Sequence, residues 1–66
     1  MTGTIIDDKN IIEYKTEPLL LSPQNYSISY TVSGQPRETV IEGYFTKSQA
    51  TSREFVESQV KKDIYG

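Results

Sequence analysis

Tyr26-Ser27-Ile28-Ser29-Tyr30-Thr31-Val32-Ser33 alternates apolar and hydroxyl side chains without a break. Successive side chains on a strand point to opposite faces, so this pattern predicts a strand with one buried and one wet face. Gly34-Gln35-Pro36 follows with turn chemistry, glycine accepting positive φ and proline fixing φ. Arg37 to Phe45 then reads as the return strand. A loop spanning Gly34 to Arg37 pairs Ser33 with Glu38. In that register Tyr26, Ile28, Tyr30 and Val32 share a face with Thr39, Ile41, Gly43 and Phe45, which gives each large apolar residue a compatible neighbour.

The pattern then changes period. Ser52, Phe55, Val56, Gln59, Val60 and Asp63 recur at helical spacing, so Phe55, Val56 and Val60 form an apolar stripe that packs on the hairpin. Thr46 or Ser48 caps this helix, and Thr46-Lys47-Ser48-Gln49 fits the capping-box pattern. Lys61 and Lys62 fall in the last turn, where positive charge suits the helix dipole. Gly43, lacking a side chain, marks a place for the helix to approach the sheet closely.

Toward the N-terminus, Thr4-Ile5-Ile6 and Ile11-Ile12-Glu13-Tyr14 flank Asp7-Asp8-Lys9-Asn10, a run of turn formers. Either arm supplies a third strand, which a hairpin that is marginal alone needs for stability. Pro18-Leu19-Leu20-Leu21-Ser22-Pro23 reads as an extended connector, because a residue before proline avoids helical backbone. The expected fold is one small α+β domain over residues 1–66: an antiparallel sheet of two or three strands with one C-terminal helix packed on one face. Residues 1–24 form the N-terminal arm, and residues 25–66 the hairpin and helix.

Composition narrows the chemistry. The 66 residues contain no cysteine and no histidine. Disulfides and thiolate metal sites are thereby excluded, and the commonest metal ligand and general base are missing. Serine and threonine abound, but nucleophilic catalysis needs a base held nearby, and lysine is the one substitute on offer. The carboxylate pairs Asp7-Asp8 and Glu54 with Glu57 read as solvated surface. No enzymatic activity, cofactor or metal is expected. The longest apolar run, Leu19-Leu20-Leu21, is far too short to span a bilayer, and no secretory leader opens the chain, so a cytoplasmic location is expected.

The net charge of −2 resides in residues 1–33, while residues 34–66 balance five acids with five bases. There is no basic excess of the kind that marks nucleic-acid binders. Two places stand out as candidate surfaces. On the outward face of the hairpin, Ser27, Ser29, Thr31 and Ser33 lie beside Glu38, Val40, Glu42 and Tyr44; Val40 and Tyr44 there require cover from the N-terminal strand or from a partner. The triple leucine, Leu19, Leu20 and Leu21, either closes the open end of the core or stands exposed as an anchor for a partner. The edge of the Tyr26–Ser33 strand offers a related route to strand pairing.

Gly43-Tyr44-Phe45-Thr46-Lys47-Ser48-Gln49-Ala50 resembles the Gly-Phe-x-Thr-Lys-x-Glu-Ala junction of the amino-terminal, arm-type DNA-binding domains of phage and transposon tyrosine recombinases. The hairpin-then-helix order over roughly residues 25–62 resembles that family's sheet-then-helix order as well. The resemblance implies a sheet that enters the major groove, with basic strand residues on the phosphates. Transferred to this chain, that role falls to Arg37 and Lys47, with Ser29 and Thr31 on the hydroxyl face. The return strand departs from the family pattern by carrying Glu38 and Glu42 where basic residues are favoured, and phosphate neutralisation supplies most non-specific affinity.

The leading expectation is therefore a non-catalytic interaction protein, such as a phage- or mobile-element-encoded regulator or inhibitor that covers the surface of a larger protein. Its contact residues would be Leu19, Leu20, Leu21, Val40 and Tyr44. The alternative is a small DNA-binding module using Arg37, Lys47, Ser29 and Thr31, and a homo-oligomer would use the same apolar surface.

Overall fold

Asp7 pairs with Asn10 across a two-residue turn in which Asp8 adopts φ +55°, a left-handed conformation that aspartate tolerates better than most residues. This turn makes both N-terminal arms strands of one hairpin. The computed structural model, which describes residues 1–66, contains β1 (Thr2–Asp7), β2 (Asn10–Pro18), β3 (Asn25–Val32), β4 (Thr39–Thr46), α1 (Lys47–Ala50) and α2 (Arg53–Tyr65). The fold is α+β, a four-stranded antiparallel sheet in the order β1-β2-β3-β4 followed by the helical segment. The expected two or three strands become four because Ile5 and Ile12 pair directly and both are buried beneath the helix. The edges of the sheet are β1 and β4. The Tyr26–Ser33 segment is interior, so it has no open edge to offer.

The predicted faces of β3 and β4 are observed outside residues 42–44 of β4, all three exposed, but half of the predicted register is not. Tyr30 pairs with Thr39 and Ile28 with Ile41, whereas Tyr26 pairs with Phe45 as expected. The β3–β4 loop is thus longer than Gly34 to Arg37, and a bulge opposite Ser27 restores the register. A slip of two residues preserves which side chains face the core, since the strand period is two. Gly43 lies in the bulged stretch at φ +128°, exposed to solvent. Its lack of a side chain serves this backbone conformation rather than a close approach of the helix.

The close approach occurs at Gly3 instead. Tyr14, opposite it on β2, lays its ring over this glycine, and a Cβ there would stand 2.2 Å from the Tyr14 hydroxyl oxygen. The core joins nine buried residues: Ile5, Ile12 and Tyr14 from the first hairpin, Ile28, Tyr30, Ile41 and Phe45 from the second, and Val56 and Val60 from α2. Val56 and Val60 are wholly buried, as the helical spacing predicts, and Phe55 meets Phe45 edge-on with ring centroids 5.9 Å apart.

The single helix of the sequence reading is broken in two. Thr46 caps α1 with both halves of a capping box: its hydroxyl accepts from the Gln49 amide at 3.2 Å, and the Gln49 side chain accepts from the Thr46 amide at 3.0 Å. The Thr51 hydroxyl then donates to the Lys47 carbonyl at 2.8 Å, and Ser52, in extended backbone, caps α2 by accepting from the Phe55 amide at 3.3 Å. Hydroxyl side chains compete in this way with the helical hydrogen-bond ladder. The Thr16 hydroxyl donates to the Ala50 carbonyl at 3.3 Å, tying the end of α1 to the sheet.

The segment Leu19–Gln24 is also not extended. It closes the β2–β3 hairpin as a bent loop, with the Leu19 amide donating to the Asn25 carbonyl at 2.9 Å and the Asn25 amide to the Ser22 carbonyl at 2.8 Å. No helix is long and apolar enough to cross a membrane.

Candidate interaction face

The helices cover one face of the sheet. Side chains that alternate with the core residues occupy the other: Thr2, Thr4 and Ile6 on β1, Ile11, Glu13, Lys15 and Glu17 on β2, and Ser27, Ser29 and Thr31 on β3. Val40, opposite Ser29, extends this face onto β4. The N-terminal strands lie beside β3 within the sheet and do not fold over this face. Nothing in the chain therefore shields Val40 and Tyr44, which are 58% and 79% exposed.

Two depressions mark the face. The first, of about 370 Å³, is polar and runs over β1, β2 and β3, with Thr4, Glu13, Lys15, Thr31 and Glu38 along it. The second, of about 480 Å³, lies at the Pro18 end of the sheet, walled by Glu17, Pro18, Leu19, Leu20, Leu21 and Tyr44. Leu19 is half-buried, whereas Leu20 and Leu21 are 99% and 98% exposed. The alternative in which these leucines close the core does not hold for Leu20 and Leu21. The bend of the loop, fixed by the two backbone hydrogen bonds between Leu19, Ser22 and Asn25, holds them outward.

Lys15 links the two depressions. Its ammonium stands 3.3 Å from the Glu17 carboxylate and 3.3 Å from that of Glu38, which reaches across β3 from the start of the last hairpin arm. Hydrogen bonding to Glu38, followed by that to Glu17, raises the Lys15 pKa above its ordinary value. Glu13 takes part in no ion pair.

The structure brings Leu19, Leu20, Leu21 and Tyr44 together around one groove and puts Val40 on the same face. It does not bring together the four residues of the DNA-binding alternative. Arg37 precedes β4 and Lys47 follows it, so they stand at opposite ends of that strand. Thr31 is half-buried and Ser29 is buried at the centre of the face.

One carboxylate of each pair singled out in the sequence has a structural partner. Asp7 accepts a hydrogen bond from the Tyr65 hydroxyl, and Glu57 accepts from Arg53 Nε at 2.7 Å and from the Tyr14 hydroxyl at 3.5 Å. Together with Tyr30 and Asp63, these contacts attach α2 to β1, β2 and β3. Burial, with the adjacent carboxylate second, raises the pKa of Tyr14 and Tyr30 above the ordinary value of tyrosine.

Sequence reasoning missed Glu13, Lys15 and Glu17 as members of the face. Their signal was present as alternation with the buried Ile12, Tyr14 and Thr16. Comparison with protein-family models, curated proteins and solved structures returns no match to this chain.

Proposed function

We propose that this chain is a non-catalytic interaction module, a small regulator or inhibitor whose open sheet face docks on a larger protein and occludes part of its surface. The observation that carries the reading is the full exposure of Leu20 and Leu21 beside Tyr44. A domain this small buries only about 60% of the surface its unfolded chain exposes, so it has few large apolar residues to spare. Full burial of a leucine side chain stabilises by about 1.5–3 kcal/mol, a gain this fold leaves to an external partner. Contiguous apolar surface rimmed by polar groups is the usual signature of an interface.

The test is affinity capture of the tagged chain from a lysate of its source, with and without nuclease, using wild type, Leu20→Asp and Tyr44→Ala. The expected result is a stoichiometric protein that survives nuclease and is lost in both variants while circular dichroism remains unchanged. Equal capture by wild type and both variants would place the contact elsewhere. Recovery of nucleic-acid-associated proteins alone, lost on nuclease treatment, would favour DNA binding.

A further inference from the structure

The open face concentrates charge as well as apolar surface. Along the two depressions Glu13, Glu17 and Glu38 set against Lys15 leave −2, which equals the net charge of the whole chain, since the remaining six acids and six bases cancel. An acidic surface repels phosphate, so the face is unsuited to a nucleic-acid backbone. A second copy presenting the same face would bring like charges together. The complement of this surface is a cationic chain with an apolar anchor.

Size points to a segment rather than a broad domain surface. Strands of six, nine, eight and eight residues, rising about 3.3 Å per residue and lying about 4.8 Å apart, give a face with a footprint on the order of 500 Å². A standard interface uses about 800 Å² per partner. Along β2, Glu13 lies five residues from Pro18 at the groove, roughly 16 Å in extended backbone.

Building on the reading of this face as a docking surface, we propose that its occupant is a cationic segment of another protein. One apolar residue of the segment seats among Leu20, Leu21 and Tyr44. Lysine or arginine side chains within roughly 16 Å of that anchor lie over Glu17, Glu38 and the unpaired Glu13.

The test is selection of a displayed library of random peptides, about twelve residues long to cover the face, on the full chain. The enriched peptides are then titrated against wild type, a Glu13→Gln/Glu38→Gln double variant and Leu20→Ser. All three altered side chains are solvent-accessible, so the variants should fold, which thermal melts would verify. The expected peptides carry two or more basic residues beside an apolar one. Their affinity should fall at least about tenfold as ionic strength rises from about 0.05 to about 0.5 M, and about tenfold in the double variant, with a comparable loss in Leu20→Ser. Enriched peptides that are neutral or acidic, insensitive to salt and lost only in Leu20→Ser would overturn the cationic partner and leave the docking face standing. Failure to enrich any peptide, or peptides that bind all variants equally, would overturn both. Concentration-dependent dimerisation of the chain that Leu20→Ser abolishes would assign the face to a second copy and so overturn the proposal.

Discussion

The Tyr30 hydroxyl on β3 donates a 2.6 Å hydrogen bond to the Asp63 carboxylate on α2. The tyrosine ring belongs to the core while Asp63 is exposed, so this contact fixes the helix C-terminal half at the boundary between core and solvent. Hydrogen bonds to charged groups contribute about 1.5–3 kcal/mol when shielded and less where water competes. Tyr30→Phe should therefore lower stability by about 1 kcal/mol without changing the fold. Urea unfolding checks this: the midpoint should fall while the slope with denaturant is retained.

Alkaline pH should loosen the same attachment. Because the pKa values of Tyr14 and Tyr30 are raised in the folded state, folded protein binds more protons than unfolded protein above about pH 10. Stability is then fully present below the ordinary tyrosine pKa and is lost as pH rises through the folded one. Lys15, also raised, acts in the same direction. Melting temperatures recorded from neutrality to strongly alkaline pH should decline from about pH 10, and the decline should be shallower in Tyr14→Phe/Tyr30→Phe. An unchanged slope in that variant would remove Tyr14 and Tyr30 as its cause and leave Lys15 and Tyr65, whose pKa its hydrogen bond to Asp7 also raises.

Gly3→Ala probes the close approach beneath Tyr14. The new Cβ would meet the tyrosine Cζ at 2.3 Å, so the ring or the β1 backbone must shift. Overpacking of this kind costs about 1–3 kcal/mol. A fall in melting temperature, with the chain still folded, is expected by calorimetry.

Val60→Ala removes two methyl groups from a fully buried site on α2. Transfer and cavity contributions together give a loss of about 2–3 kcal/mol. For a domain of this length the total stability is on the order of 3–10 kcal/mol, so the variant should unfold at markedly lower denaturant. Ser58→Ala, on the exposed side of the same helix, should shift the midpoint little.

Local signals in the sequence specify much of this fold. Strict alternation from Tyr26 to Ser33 identifies β3 and its buried face, and Thr46 with Gln49 identifies the helix start, because both patterns act over a few residues. The register of β4 was less legible: the bulge at Gly43 and the longer loop shift pairs by two residues, which leaves the side chains of those pairs on the same face and hence leaves no trace in the hydrophobic pattern. The break at Ser52 was obscured because its hydroxyl suits a helical face as well as a cap. Leu20, Leu21, Val40 and Tyr44 were legible as surface candidates, but their shared location depends on a loop bend that brings Leu19 back to Asn25. The Lys15–Glu38 pair bridges β2 and the start of β4 over an intervening strand, a relationship that no local spacing encodes.

Site-directed photo-crosslinking offers the most direct test of the docking face. A photoreactive phenylalanine analogue replaces Leu20 in one protein and Lys61, exposed on α2, in another, and both are irradiated in a lysate of the source. A discrete adduct with one foreign protein at position 20, absent at position 61, is the expected result. Equal adducts at both positions, or none at position 20, would contradict a partner seated on the open face of the sheet.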